Sequence, residues 1–273
     1  MDFREHEIFR VRKELERRRE VLVGFAKNLN AKMDEIDRCE IIQYLDHLQI
    51  PNRPGTAPDL MKMFVKSCFS YSILRKFCVA SLGEIPTLET IGECLARIFN
   101  LDSFRLGDTW SPGNLKNLAE AIQKKHQFDL DSNEPRPRMV RVMIDGSTEM
   151  AKRLKTGLPA FYQSVDKVTK QDPELMWEYV LEFSKNIYNV GPALICDFLK
   201  EIGYSQFVKV DHHFKNQFPA LIPDGSNCRK LSPRKQFIQS LRLAEKLEIT
   251  PFHLDKILYI WGKYGMGDAK GMA

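Results

Sequence analysis

The chain has 273 residues with a formal net charge of +5, and 43% of its residues are hydrophobic. A chain of this length can bury a substantial core, as one large domain or two small ones. The charged first segment, residues 1–20, excludes a secretory signal peptide, and no run of about 18 apolar residues predicts a membrane span. The mild positive charge permits a polyanionic partner without requiring one. We therefore expect an intracellular protein that does not cross a membrane.

Apolar residues recur at three- and four-residue steps along almost the whole chain, which predicts helices. In chain order these cover about 2–29, 34–49, 59–82, 87–99, 115–126, 148–155, 158–168, 173–188, 192–203, 211–218, 232–246 and 250–263. Asp59 is a predicted N-cap and Gly83 a predicted C-cap of the third helix. Alternation typical of strands is nearly absent, so the predicted fold class is all-α.

Residues 127–147 fit the helical pattern least well. The segment 129–138 is polar and is interrupted by Pro135 and Pro137. Residues 140–144, Val-Arg-Val-Met-Ile, are typical of a short strand or of buried coil. We interpret 127–147 as an insertion or linker.

The cysteines do not form a metal-binding pattern. All six are scattered along the chain, and no two of them are spaced as C-x-x-C. A four-cysteine run typical of an iron–sulfur cluster is also missing from the sequence. We expect free thiols in a reducing compartment and no iron–sulfur cluster.

The stretch 188–192, Tyr-Asn-Val-Gly-Pro, predicts a tight hairpin between two helices. Asn189 tolerates the left-handed conformation nearly as well as glycine, and Gly191 supplies a second flexible position. Pro192 suits the first turn of the next helix, because its missing N–H costs nothing there. The backbone N–H groups of such a hairpin, together with a helix N-terminus, bind phosphate.

Asp211 follows Gly191 by twenty residues, at the start of another predicted helix. A carboxylate near a phosphate-binding hairpin suits a reaction that builds positive charge, such as cleavage of a glycosidic bond. Asp211 is also placed to cap the helix that begins at His212, and the two roles are compatible. Hairpin and carboxylate together indicate chemistry on a nucleic acid base.

Both motifs resemble those of the helix-hairpin-helix/Gly-Pro-Asp superfamily of DNA glycosylases, the group of endonuclease III and 8-oxoguanine glycosylase. Residues 187–195 are similar to the family hairpin L-x-G-V-G-x-x-T/V-A, and 210–213, Val-Asp-His-His, are similar to its V-D-x-H. The similarity covers about 170–265 well and 57–126 weakly. It implies a two-lobed all-helical fold. The implied divisions are N-terminal helices at 1–56 that pack with the C-terminal helices, a barrel domain at 57–218 that contains the insertion and the hairpin at 174–203, and C-terminal helices at 219–273.

The resemblance implies a monofunctional DNA glycosylase, which flips a damaged or modified base from double-stranded DNA and hydrolyses its N-glycosidic bond. Asp211 would be the catalytic residue. The hairpin, Asn189 to Ala193 with the N–H groups of Val190, Gly191 and Ala193, would hold a DNA phosphate, with K⁺ or Na⁺ as a candidate ion at the turn. Bifunctional members carry a Schiff-base lysine where Ala193 stands, so water is the expected nucleophile. The protein is expected to act as a monomer.

Further candidates are more ambiguous. The upstream loop, where the family carries a glutamine, has the sequence Cys-Phe-Ser-Tyr at 68–71. Three of these residues are candidates for a base pocket or wedge, or for the core: Cys68, Phe69 and Tyr71. Trp110 is a candidate for the pocket mouth or for burial under its loop. His213 matches the family histidine, whose role is more structural than chemical. A basic cluster would contact phosphates or remain solvated charge: Arg229, Lys230, Arg234 and Lys235.

Two other functions fit the same residues. A catalytically silent DNA-binding protein would keep the hairpin for phosphate and use the insertion for a partner. A glycosylase with lyase activity would need a displaced lysine, such as Lys209. The motifs indicate which bond is cut and do not identify the base.

Overall fold

The computed structural model describes residues 3–28, 33, 35–69, 91–101, 110–222 and 231–264. These ranges contain twelve α-helices: α1 (Glu5–Lys27), α2 (Glu35–Glu40), α3 (Ala57–Cys68), α4 (Ile91–Ile98), α5 (Pro112–His126), α6 (Pro135–Arg153), α7 (Leu158–Val168), α8 (Pro173–Lys185), α9 (Pro192–Glu201), α10 (His212–Leu221), α11 (Pro233–Leu247) and α12 (Pro251–Lys263). Residues Ile41–Asp46 continue α2 as a π-helix. No β-strand occurs in the described ranges, which confirms the all-α class.

Proline marks where most of these helices begin. It occupies one of the first two positions of α3, α5, α6, α7, α8, α9, α11 and α12. The first N–H groups of a helix have no intrahelical acceptor, so the ring removes nothing there and presets φ. The helix starts are therefore determined locally by the sequence.

The predicted N-cap of α3 is wrong. Thr56 caps this helix: its hydroxyl accepts a hydrogen bond from the Asp59 N–H at 3.2 Å and donates one to the Asp59 carboxylate at 2.7 Å. Asp59 therefore lies in the first turn, where its negative charge is attracted to the positive end of the helix dipole. The predicted C-cap, Gly83, lies outside the described residues.

The prediction of a strand or coil at 140–144 is also wrong, because this segment lies inside α6. The buried face of α6 combines apolar side chains with Gly146, Ser147 and Glu149. Polar and small residues on a buried face weaken the apolar periodicity on which the prediction depends. Residues 135–147 of the supposed insertion thus belong to a 19-residue helix that packs along α5 and ends within the helix predicted at 148–155.

Residue contacts divide the chain into two compact units, Met1–Asn52 with Gly203–Ala273, and Arg53–Ile202. These limits differ from the predicted divisions at 56 and 218. Residues 203–218 group with the terminal helices because α10 packs against α12.

In the first unit, α1 and α10 both contact α12. Phe214 and Phe218 of α10 are fully buried and stack with ring centroids 5.0 Å apart. Arg18 of α1 is buried as well. Its guanidinium lies 5.1 Å from the ring of Trp261 and donates to the Gln217 side chain at 3.3 Å. A buried cation in such contacts is stabilised by packing as well as by charge.

The core of the second unit is a cluster of three phenylalanine rings. Phe64 of α3 lies 6.2 Å from Phe183 of α8 and 5.3 Å from Phe198 of α9, measured between ring centroids. Burial of each ring contributes about 2–3 kcal/mol. α6 approaches this cluster closely at Gly146, where an added Cβ would lie 2.5 Å from a ring carbon of Phe64. The two helices of the hairpin are thereby anchored on α3 and α6.

Candidate nucleic-acid interface

The turn between α8 and α9 has the conformation that the sequence predicts at its asparagine. Asn189 is exposed and left-handed, with φ of 56°. The turn is closed by hydrogen bonds from the Ile187 N–H to the Ser184 carbonyl at 3.1 Å and from the Val190 N–H to the Ile187 carbonyl at 3.2 Å. The chain then enters α9 through Gly191 as N-cap and Pro192 as first residue. Residues 173–201 therefore form two helices joined by a short turn.

Two of the three predicted phosphate-binding N–H groups are available. Among the described residues, the N–H groups of Gly191 and Ala193 have no hydrogen-bond acceptor. The N–H of Val190, in contrast, is used inside the turn, and its side chain is buried. Val190 is therefore not a free donor in this conformation. The remaining donors lie at the N-terminus of α9, where the helix dipole also favours an anion.

Gly191 does not provide the second flexible backbone position predicted for the turn. Its φ of −89° and ψ of 172° are open to any residue. It is exposed, and an added Cβ would meet no atom within 4 Å. Neither the backbone angles nor the described packing requires glycine at this position. Because glycine has no side chain, the surface beside α9 is open to a ligand.

Asp211 lies at the start of α10 and is half-buried. Its Oδ1 accepts a hydrogen bond from the Phe214 N–H at 3.0 Å, which makes it the N-cap of this helix. Its own N–H donates to the Lys209 carbonyl at 2.8 Å. The second oxygen of the carboxylate accepts no hydrogen bond from the described residues, so it remains available for a ligand.

The first turn of α10 is held against α12. The rings of His213 and Tyr259 meet edge to face with centroids 5.3 Å apart. A Cβ on Gly262 would lie 3.3 Å from the Cβ of His213 and 3.1 Å from Cγ of Gln217, so glycine permits this close approach. Burial raises the pKa of Tyr259 well above its ordinary value, and the negative charges of Asp37, Glu40 and Asp211 add to the effect. His213 thus packs in the interface between α10 and α12.

The candidates for a base pocket lie in the interior where the structure describes them. Cys68 and Phe69 at the end of α3 are buried, and burial raises the pKa of the Cys68 thiol well above its ordinary range. Trp110 is 2% exposed, so its side chain is buried. None of these side chains is presented to solvent as a wedge would be. Tyr71 lies outside the described residues.

The basic cluster is described only in part, since Arg229 and Lys230 lie outside the described residues. Arg234 and Lys235 are exposed in the first turn of α11, which Ser232 caps. Positive charge at a helix N-terminus opposes the helix dipole. The two side chains therefore add to a local positive potential that favours an anionic partner.

The turn is also held by contacts from α6 that the sequence does not predict. Tyr188 in the turn donates its N–H to Oδ2 of Asp145, at 3.1 Å. The side-chain amide of Asn186 donates to the Glu149 carboxylate at 3.4 Å. Both acceptors belong to α6, in or beside the segment interpreted as an insertion. No local signal identifies them, because the contacts join residues about 40 positions apart.

A separate cavity of about 430 Å³ lies in the first unit. Arg12 and Arg19 line it, together with leucine and isoleucine side chains. Each arginine already satisfies a carbonyl at a helix end: Arg19 donates to Leu45 at 2.6 Å and Arg12 to Leu247 at 3.3 Å. Such bonds satisfy carbonyl groups at helix C-termini, so both guanidinium groups have hydrogen-bond partners within the protein.

Within the described residues, no group of three or more His, Cys, Asp or Glu side chains is placed to hold a metal ion. In the same part of the chain, no helix is both long and apolar enough to cross a lipid bilayer. A comparison with protein-family models, with curated proteins and with solved structures found no match to this chain. The functional interpretation therefore depends on the chemistry of the hairpin and of Asp211.

Proposed function

We propose that this protein is a monofunctional DNA glycosylase of the helix-hairpin-helix/Gly-Pro-Asp type. It would hydrolyse the N-glycosidic bond of a damaged or modified base flipped from duplex DNA and leave an abasic site. The observation that carries the proposal is the α8–α9 turn, where the left-handed Asn189 directs the chain so that two donors, Gly191 and Ala193, remain without acceptors among the described residues. Such a helix N-terminus suits a backbone phosphate.

The phosphate grip is independent of base sequence. Backbone N–H groups contact phosphate oxygens, which positions the duplex and reads no base. The exposed Gly191 adds no side chain that would hold the DNA backbone away. The turn also supplies carbonyl groups, the kind of ligand that K⁺ or Na⁺ takes, so a monovalent cation at the turn is part of the proposal.

Asp211 is the proposed catalytic residue. Cleavage of a glycosidic bond develops positive charge on the sugar, and a carboxylate held in place stabilises that charge. The cap bond to the Phe214 N–H uses one oxygen and fixes the orientation of the carboxylate, while the other oxygen accepts no bond from the described residues. The carboxylate would stabilise the sugar cation or orient the attacking water.

Ala193 separates the proposed hydrolytic reaction from a lyase reaction. A methyl side chain cannot form an imine with the sugar, so the strand would stay intact after base release. Lys209 is half-buried beside Asp211 in the chain and is the alternative amine. Borohydride trapping with an abasic duplex tests it: a covalent complex that disappears in Lys209→Ala would replace the hydrolytic proposal by the lyase.

DNA binding without catalysis is the second candidate function. It is favoured by the cap bond of Asp211, since this bond alone gives the carboxylate a structural purpose. Incubation with duplexes that each carry one modified base, followed by alkaline cleavage, separates the two. Abasic product from wild-type protein and none from Asp211→Asn supports the glycosylase. Duplex binding with no product from any base supports the silent protein.

A further inference from the structure

α6 supplies a carboxylate to the hairpin turn from a distant part of the chain. The Tyr188 N–H donates to Oδ2 of Asp145 at 3.1 Å. Of the three backbone N–H bonds that define the turn, at Ile187, Tyr188 and Val190, this is the one made to a side chain of another element. The turn is therefore incomplete without α6.

The ring of Tyr188 is held from the same helix. The guanidinium of Arg141 lies 4.0 Å from the ring centroid, and its Nε is 3.8 Å from Oδ2 of Asp145. Arg141 also donates to the carbonyl of Leu130 and to the carboxylate of Asp131. One turn of α6 thus engages both the backbone and the side chain of Tyr188. A cation over a tyrosine face contributes about 0.5–1 kcal/mol at such a partly exposed site.

A second carboxylate lies one helical turn further along α6. Glu149 is 3% exposed, forms an ion pair with Arg153 at 2.9 Å and accepts from the side-chain amide of Asn186. Arg153 in turn lies 3.7 Å from the ring centroid of Phe183 in α8. The end of α8 and the start of the turn are therefore fixed to α6 as one piece.

We propose that Asp145 and Glu149 are positioning residues of the phosphate-binding turn, an inference that rests on the proposed function. The N–H groups of Gly191 and Ala193, which have no acceptor among the described residues, follow Tyr188 by a few residues, so their directions depend on how the turn is held. A donor pair that is already oriented loses less entropy when the phosphate binds. In this proposal α6 contributes to DNA binding by orienting the turn, and neither carboxylate contacts DNA itself.

The positioning role can be tested because the two effects of removing Asp145 on DNA affinity have opposite signs. A carboxylate near a phosphate site repels DNA, so removal of Asp145 by charge alone would strengthen binding. Removal of a positioning hydrogen bond would weaken it. Asp145→Asn and Asp145→Ala lose the same charge, but only asparagine keeps an oxygen that can accept from the Tyr188 N–H.

The experiment measures affinity for an undamaged duplex and amide exchange of Tyr188 in the free protein. We expect Asp145→Ala to bind DNA about fivefold more weakly and to exchange faster at Tyr188. Asp145→Asn should stay within about twofold of wild type in both measurements. Asp166→Ala is the matched control, since it removes an equal charge from an exposed ion pair with Arg53 in the same unit. It should bind as wild type or slightly more tightly.

Several outcomes would overturn the inference. They are unchanged or tighter binding by Asp145→Ala, unchanged exchange at Tyr188, or an Asp145→Asn variant as weak as the alanine variant. Asn186→Ala provides a second test at an exposed residue, where loss of the Glu149 contact should weaken binding about twofold without unfolding the chain. Wild-type protein that binds no duplex would refute the proposed function itself. Exchange at Tyr188 would then still report whether Asp145 holds the turn.

Discussion

The two candidate site elements are both helix N-termini, yet they present opposite charge. At the start of α9 the cap residue Gly191 has no side chain, and two N–H groups are without acceptors among the described residues. At the start of α10, Asp211 supplies its own acceptor to the Phe214 N–H and adds a negative charge. The first therefore suits an external anion, and the second suits a cation or a developing positive charge.

The two elements are also held in place by different means. The α8–α9 turn is connected to α6 mainly by polar contacts: hydrogen bonds from Tyr188 and Asn186 to two carboxylates, and the Arg141 guanidinium over the Tyr188 ring. α10 is held to α12 by close packing at Gly262 and by the contact of His213 with Tyr259. Packing over a helix face resists displacement more than one or two polar bonds do. Mutations should thus separate the DNA binding proposed for the turn from the catalysis proposed for the packed helix.

The largest expected effect is on catalysis, in Asp211→Asn. Asparagine is an equally good N-cap, so α10 and the free energy of unfolding should be preserved. Loss of the carboxylate charge should slow base release about 10²–10³-fold, as for other groups that stabilise transition-state charge. DNA affinity should stay equal or rise. Single-turnover base release and equilibrium binding measure the two quantities. Wild-type release by this variant would remove Asp211 from the mechanism.

Next in size is the effect on stability of Glu149→Ala in α6. The Glu149 side chain is 4% exposed and pairs with Arg153, so its removal leaves a largely buried guanidinium with a lost partner. We expect the free energy of unfolding to fall by about 3 kcal/mol. Urea denaturation measures it.

The control for this variant is Glu182→Ala, which removes the other partner of Arg153. That side chain is 63% exposed, and its loss should cost less than about 1 kcal/mol. Equal costs for the two variants would mean that the buried Glu149–Arg153 pair adds no more to stability than the exposed Glu182–Arg153 pair.

A somewhat smaller loss is expected in Gly146→Ala, where α6 meets the phenylalanine cluster. The new methyl group would lie 2.5 Å from a ring carbon of Phe64, and relief of this overlap should cost about 1–3 kcal/mol. Gly24→Ala in α1 is the control. Its Cβ meets no atom within 4 Å, and alanine should stabilise that helix by about 0.5–1 kcal/mol. Thermal unfolding of both variants should shift in opposite directions.

Gly191→Leu should change DNA binding more than stability. The backbone angles of Gly191 accept any residue and its surroundings are open, so the free energy of unfolding should fall by at most about 1 kcal/mol, because leucine is a poorer N-cap than glycine. A side chain at the phosphate site should weaken DNA binding about tenfold, or about 1.4 kcal/mol. Gly113→Leu is the matched control, at an exposed and equally open position in the first turn of α5. Equal affinities of both variants would place the DNA elsewhere.

The smallest expected effect is a pH dependence in the first unit. Hydrogen bonds from Arg17 and then from Arg18 lower the pKa of Glu14 from 4.5 to about 2. The unfolded chain therefore binds the proton more readily, and the stabilisation is present above pH 4.5 and is lost as the pH falls toward 2. Glu14→Gln should cost less than about 1 kcal/mol at pH 6. Denaturation curves of variant and wild type should converge near pH 2, and a gap that persists there would contradict this assignment.

Local interactions explain which features could be predicted from the sequence. Asn189 takes its left-handed conformation and Asp211 caps α10 because both depend on neighbours within a few residues. The end of α6 lies within the helix predicted at 148–155, but its first part, 135–147, was not predicted, because Gly146, Ser147 and Glu149 are buried through contacts with other helices, which periodicity does not encode. The conformational role predicted for Gly191 was wrong for a related reason. Its φ is one that any residue adopts, and what the glycine provides is an exposed backbone without a side chain.

The sequence by itself determined the all-helical class, most helix starts, the position of the turn and the absence of a lysine at Ala193. These features depend on proline, on capping side chains and on residue identity, and all of them act locally. The structure adds a local detail, the bond of the Val190 N–H inside the turn, while Gly191 and Ala193 have no acceptor for their N–H groups among the described residues. Only the tertiary structure decided that Asp145 holds Tyr188 from 43 positions away. Hydrogen-bond partners over such distances depend on how the helices pack, and packing is a property of the whole unit.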